Sequence, residues 1–291
     1  MKKTNLLLSA ATLTVAAVAL TSCGSNDKVI RVAASELPHA KILNEAVAPV
    51  LEKSGWKLEV SVLDWTVQNS QVAAGDYDAN YFQHQPYLES YNSSVSEDQQ
   101  LAMACKVHFE KLCLYASDTT KKTVANGDKI EIVNDVTNVE RALLLLQNQG
   151  LLTINDSCYT TVDGEKTFTN FDVTKPNSCV TWASNYSNCT LTCLAESQLT
   201  NSLADYNFGV IPGNTALTGL GSDYASRIVF GETVDDATLT LRANGIAVKK
   251  SDLNSDKTKA LVEAFATDSV KNYISSTFGE SVVYHYIDLT K

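Results

Sequence analysis

The densest chemistry in this chain lies in Asp78-Ala79-Asn80-Tyr81-Phe82-Gln83-His84-Gln85-Pro86-Tyr87-Leu88, where three aromatics, a histidine and a proline fall within eleven residues. Such a stretch suits a rigid loop that presents rings to a ligand, and the same residues would equally fill a core with His84 as a satisfied neighbour. A second informative stretch runs from Asn134 to Leu146. Its Asn, Asp and Thr residues suit the start of a helix, where short polar side chains cap free N–H groups. An anion at such an end gains from the backbone donors and the helix dipole. Arg141, in the first turns, offers a forked, charge-assisted grip on a carboxylate, and its plainer alternative is a solvated surface residue. The chain has no GxxxxGK[ST], GxGxxG, HExxH or GxSxG, and none of its four histidines has a metal-like or triad-like neighbour at short range. Sites assembled across a fold escape such searches, so the absence lowers the expectation of catalysis without removing it.

The 291 residues carry 23 Lys plus Arg against 33 Asp plus Glu, a net charge of −10, with 44 % apolar residues. That is a globular composition, long enough for two ordinary lobes. It gives no electrostatic reason to hold nucleic acid. Met1-Lys2-Lys3 is a basic start to an apolar run from Leu6 to Leu20. The run is short of the roughly 20 apolar residues a membrane-spanning helix needs, and it reads as a signal peptide over residues 1–22. Leu20-Thr21-Ser22-Cys23 resembles a bacterial lipobox, in which the Cys is acylated and becomes the first residue. The cleaved chain keeps 21 basic and 33 acidic residues, a balance of −12. Residues 23–27 would be the lipidated Cys and a tether of about 14 Å at most. Of seven cysteines, Cys105, Cys113, Cys158, Cys179, Cys189 and Cys193 remain, an even count that suggests disulfides in an exported protein. Cys189 and Cys193 sit about 13 Å apart if their run is a strand, too far to pair with each other. Nothing in the spacing forms a zinc site.

Periodicity predicts strands at Val29–Ala33, Leu58–Leu63, Lys106–Tyr115, Phe208–Ile211 and Leu239–Val248. It predicts helices over Pro38–Leu51, 66–74, Asn138–Leu152 and Lys257–Thr277. The alternation argues for an α/β protein with mostly parallel sheets. Residues 153–195 lose periodicity and read as a Cys-rich surface insertion at about 155–190, stapled by Cys158 and Cys179.

The two informative stretches together resemble the NlpA/MetQ family of methionine-binding lipoproteins of ABC importers. Leu37-Pro38-His39-Ala40-Lys41-Ile42-Leu43, Asp64-Trp65, Lys106-Val107-His108-Phe109-Glu110 and Ser197-Gln198-Leu199 extend the likeness from about Val29 to the C-terminus. The resemblance implies a two-lobed, type II periplasmic-binding-protein-like fold with the ligand in the cleft. Residues 28–116 and 240–291 would form lobe 1, and 117–239 lobe 2. It implies an apolar ligand end among Trp65, Phe82 and Tyr87, with His84 beside them. Arg141 would take an α-carboxylate, and Asn244 would help at the polar end. It further implies a membrane permease and its ATPase as partners, a lipid-anchored monomer on the extracytoplasmic side of the cell membrane, no cofactor and no catalysis.

Departures from the family pattern fall at the polar end. Pro212 stands where a binding Asn is common and offers neither amide nor backbone N–H; Asn214, two residues on, is the candidate replacement. Thr215 stands where an aromatic is usual, and Glu140 where a Gly precedes Arg141. A buried Glu140 would neutralise Arg141. These changes keep three functions open: capture of L-methionine, capture of another apolar amino acid or a methionine-containing dipeptide, and a surface lipoprotein that has lost its solute.

Overall fold

The structure, a computed structural model, describes residues 28–162, 165–279 and 282–291. The expected signal peptide, Cys23 and the tether lie outside the described residues. Among the described residues no helix is long and apolar enough to cross a membrane.

The chain builds β1 (Val29–Ala34), β2 (Lys57–Val62), β3 (Ala79–His84) and β4 (Leu101–Glu110), then passes through Lys111 into β5 (Leu112–Ala116) and β6 (Lys129–Val133). Four short strands follow: β7 (Leu152–Ile154), β8 (Tyr159–Val162), β9 (Glu165–Phe168) and β10 (Val180–Trp182). The last five are β11 (Thr190–Leu194), β12 (Phe208–Pro212), β13 (Ile228–Gly231), β14 (Asn244–Lys249) and β15 (Val282–Asp288). One sheet has the order β15-β4-β14-β3-β1-β2 and the other β11-β6-β12-β5-β13. Each has its own core, one around Ile30, Val32, Ile42, Leu43, Tyr81 and Phe265, the other around Ile130, Ile132, Leu143, Leu146, Phe208 and Val210. The architecture is the expected two-lobed α/β fold with a cleft between the lobes.

Several elements differ from expectation for physical reasons. The stretch Asp78–Tyr87 is no loop: Ala79, Asn80, Tyr81, Gln83 and His84 are buried in a strand central to its sheet. Burial on both faces erases the alternation by which a strand is read. The Lys106–Tyr115 run is two strands in different sheets. The 112–116 segment, expected in lobe 1, therefore pairs with β12 and β13 in the second sheet, and the crossover lies at Lys111. Leu239–Val248 opens as a helix (Asp236–Arg242) before β14, and the last helix is two, Asp256–Phe265 and Asp268–Phe278. The sheets are not mostly parallel. β1 runs parallel to β2 and β3, and β6 to β11 and β12, but every pairing of β5, β13, β14 and β15 is antiparallel. Two of these, β5 and β14, enter from the other sheet.

Leu37 is extended, so the helix before β2 starts after it and winds to Lys53, partly with π-type turns, burying Ile42, Leu43, Val47 and Leu51 on one face. Each such side chain contributes about 1.5–3 kcal/mol. At Gly245 two backbones nearly touch: a Cβ there would run into the Cys105 carbonyl, so only glycine lets β14 lie against β4 beside Asn244.

The insertion is more ordered than its composition suggests. β7 pairs antiparallel with β10 and β8 with β9, and Phe168, Cys179 and Val180 join the second core. Cys158 and Cys179 form a disulfide with Cα atoms 5.8 Å apart. Cys105, Cys113, Cys189 and Cys193 are free thiols, the first two held in the cores of different sheets. Closing a loop of 21 residues removes about 3 kcal/mol of unfolded-state entropy. Cys158→Ser/Cys179→Ser is expected to lower unfolding stability by about 2–4 kcal/mol in a urea titration; an unchanged midpoint would contradict the staple.

Candidate functional site

All seven expected ligand-contacting residues, Trp65, Phe82, His84, Tyr87, Arg141, Asn214 and Asn244, line one cavity between the two sheets, together with Glu110, Asp135, Asn138, Glu196, Pro212 and Arg242. Ser35, Trp65, Glu196 and Asn214 also line an adjoining, more open groove.

The aromatic end is set by strand and helix termini. Trp65 opens the helix Trp65–Ala74, whose start is capped by Asp64 accepting from the Thr66 N–H at 2.9 Å. Phe82 projects from β3, and Tyr87 lies in the first turn of the helix Gln85–Ser93. The Tyr87 ring meets Trp65 edge-on at 5.4 Å and Phe82 at 5.6 Å. His84 Nδ1 accepts the Tyr87 N–H at 3.2 Å, which leaves Nε2 protonated to donate to Asn138 Oδ1 at 3.2 Å. Burial, and then the nearby Arg141 and Arg242 guanidiniums, push its pKa down to about 3, so His84 is a neutral donor.

At the polar end the helix Val136–Asn148 is already capped by this chain's own anion. Asp135 Oδ1 accepts from the Asn138 N–H at 3.0 Å and the Thr137 hydroxyl at 2.8 Å, and Oδ2 accepts from Asn138 Nδ2 at 3.1 Å. The anion expected at this helix start is Asp135 itself. Arg141 is likewise taken. Its Nε and Nη2 donate to the two Glu232 oxygens at 2.5 Å each, and Nη2 also reaches the Glu110 carbonyl at 2.6 Å. Glu140, expected as the possible neutraliser, makes no ion pair with Arg141; it is half-buried, and burial raises its pKa. Glu232 fills that role from a position 91 residues away, which no local pattern reveals.

Sequence reasoning missed a buried cluster behind the cavity. His108 Nε2 lies 2.8 Å and His39 Nε2 3.2 Å from Glu110 Oε1, while the Asn214 N–H donates to Oε2 at 3.3 Å. Asn244 Nδ2 lies 3.3 Å from His39 Nε2, and Tyr81 hydrogen-bonds His108 Nδ1. Burial pushes both imidazoles down to about 3 and raises Glu110. His39, His108 and Glu110 are the described residues whose donor atoms gather closely enough for a metal ion, within 4.8 Å of one another. Their contacts are those of a hydrogen-bond network, with His108 held between Tyr81 and Glu110 and His39 between Glu110 and Asn244. The network instead holds Asn214 and Asn244 in position. One signal was legible: His108 and Glu110, two apart, share a face of a strand.

Two departures also find their places. Thr215 donates its hydroxyl to Glu196, and Pro212 ends β12 at the cavity wall. Burial pushes Glu196 up to about 7.

The sequence model of the NlpA lipoprotein family matches residues 30–285. This chain belongs to the NlpA lipoprotein family. Among its relatives, the methionine-binding lipoprotein MetQ of Bacillus subtilis (strain 168) is 34 % identical over 286 residues, 95 % of this chain and 97 % of the relative. A nutrient binding protein from Burkholderia cenocepacia, solved bound to methionine, is 27 % identical with a TM-score of 0.74, covering 88 % of this chain and 99 % of that one. An ABC transporter periplasmic substrate-binding protein from Coxiella burnetii is 25 % identical with a TM-score of 0.72, covering 88 % and 100 %.

Two outcomes follow for this NlpA lipoprotein. Arg141 and Glu232 are both nearly buried, so removing either partner alone leaves an uncompensated charge. Arg141→Ala or Glu232→Ala is expected to cost about 3–5 kcal/mol in denaturant unfolding, and the double substitution less than the sum; strict additivity would dissolve the pair. Glu196 has a pKa raised from 4.5 to about 7, so its contribution to stability is full below 4.5 and lost as pH rises through 7. Melting of the ligand-free protein at pH 5 and pH 8 should show a smaller loss for Glu196→Gln than for the parent. Equal losses would remove Glu196 as the cause.

Proposed function

We propose that this chain is the substrate-binding lipoprotein of an ABC importer, capturing L-methionine in the cavity between its sheets and passing it to a membrane permease driven by a separate ATPase. The observation that carries this reading is the convergence of an aromatic end and a charged end in one cavity with an adjoining, more open groove. The thioether lies among Trp65, Phe82 and Tyr87, where each sulfur–ring contact is worth up to about 1.5 kcal/mol. His84, Asn138, Asn214 and Asn244 supply neutral hydrogen-bonding groups, and the charged groups around Arg141 meet the zwitterion. The protein works as a monomer, anchored through acylated Cys23 on the extracytoplasmic face. Its lobes are residues 28–111 with about 240–291, and 112–239. Its chemistry is reversible binding with no bond made or broken.

The names of its relatives support methionine, and the altered polar end, with Pro212 on the cavity wall and Thr215 in the adjoining groove, favours testing a panel. Lipid-free protein, refolded to strip carried-over ligand, is melted with L-methionine, other apolar amino acids and methionine-containing dipeptides. Ligand at a hundred times its dissociation constant adds about 2.7 kcal/mol. Stabilisation by L-methionine is the expected result, with Phe82→Ala weakening binding about tenfold. A shift with a different compound alone would replace the ligand, and no shift with any compound would replace the transport reading with a lipoprotein that no longer carries solute.

A further inference from the structure

We infer that Arg242, a residue outside the expected set, supplies the positive charge that holds the ligand's carboxylate, and so makes the cavity specific for a free α-carboxylate. The inference rests on the proposed capture of an amino acid. Arg141 and Glu232 form a closed ion pair in which Nε and Nη2 of the guanidinium are spent on the two carboxylate oxygens. The pair is electrically neutral as a unit, and only Nη1 of Arg141 remains for a ligand. The N–H groups at the nearby helix start are spent on Asp135.

Arg242 differs in each respect. It lines the same cavity from the last residue of the helix Asp236–Arg242, two residues before Asn244 opens β14. Among the described residues no carboxylate lies within 4.0 Å of it, and its one hydrogen bond runs from a terminal nitrogen to the Thr137 carbonyl at 3.3 Å. Its Nε and other terminal nitrogen are left over. Arg242 acts electrostatically on His84 and Arg141, and Glu232, Glu140 and Asp135 act on it from beyond ion-pair distance, so its guanidinium faces the polar end without being closed into a pair. A carboxylate between Arg242 and the spare Nη1 of Arg141 receives a charge-assisted contact from each. Of the two guanidiniums, Arg242 is the one not closed into a carboxylate pair.

The test compares two ligands on two proteins by titration calorimetry. L-methionine carries the carboxylate, and L-methioninamide keeps the ammonium and thioether but loses that charge. The parent protein is expected to prefer L-methionine strongly. Arg242→Gln is expected to weaken L-methionine about ten- to a hundredfold, the worth of a hydrogen bond to a charged group, while L-methioninamide changes by less than about threefold. Arg242→Met, which keeps an unbranched apolar stem, gives the same comparison if the Gln variant fails to melt cooperatively. Loss of both ligands by the same factor would make Arg242 a structural residue and overturn the inference, and so would an unchanged affinity for L-methionine. A parent protein that binds neither compound but binds another amino acid with a free carboxylate would fail the methionine reading alone, and the same comparison then runs on that acid and its amide. A parent that binds no free carboxylate would overturn both.

Discussion

The arrangement depends on Arg141 as the clamp between the two passages of chain that join the sheets. The outward passage is Glu110-Lys111-Leu112 and the return begins at Gly231-Glu232. Arg141 bonds the Glu110 carbonyl on one and the Glu232 carboxylate on the other, and the Leu112 N–H donates to Glu232 Oε2 at 3.0 Å. The Glu232 N–H returns a bond to the Leu112 carbonyl at 3.1 Å. A guanidinium has five donors in a fixed plane, so it can hold two strands in one geometry where an ammonium on a flexible stem would not. Since Glu110 also anchors Asn214 and the histidine cluster behind Asn244, the polar wall of the cavity takes its position from this clamp.

That role changes what Arg141 can offer a ligand. A forked cation held by a forked anion is rigid, nearly buried and neutral as a pair, which suits structure and leaves one nitrogen for recognition. The cavity's other charges follow a similar division. Asp135 is committed to its helix start, and Glu196 is held near neutrality by burial with a Thr215 hydroxyl against it. The imidazoles of His39, His84 and His108 are kept neutral because burial disfavours their charged forms. A zwitterion therefore enters a site whose fixed charges are mostly paired among themselves, and the groups left unpaired decide what it recognises.

Much of the site was legible in the sequence because its residues lie at element ends. Trp65 follows a capping Asp, Tyr87 follows Pro86 in a first turn, and Arg141 sits early in the helix with the clearest periodicity. What was illegible depended on distance along the chain. Glu232 and Glu110 reach Arg141 from 91 and 31 positions away, and His39 meets Asn244 across 205. The errors in the fold have a common cause as well. Strand β3 is buried on both faces and shows no alternation, and the run through Lys111 is strand-like on both sides of a crossover, alternating before it and continuously apolar after it, so a strand pattern alone cannot say that it changes sheet. The antiparallel strands escaped for the same reason, since direction is set by where the chain re-enters and leaves no local pattern.

The hydrogen bonds that span the cavity are of another kind from the clamp. His84 to Asn138, Arg242 to the Thr137 carbonyl and the Asn214 N–H to Glu110 are single bonds of 3.2–3.3 Å between the lobes. Were the walls to part, each would be replaced by a bond to water, so each holds them together by only about 1–3 kcal/mol, the upper end for the charged Arg242 donor. The Arg141–Glu232 pair sits at the crossing passages, and rotation of one lobe against the other need not break it. Separating the walls is thus cheap at the mouth while the clamp at the pivot stays intact, which is the distribution a hinge requires. A ligand that bonds both walls adds to those weak contacts and shifts the balance toward the closed form by its differential affinity alone.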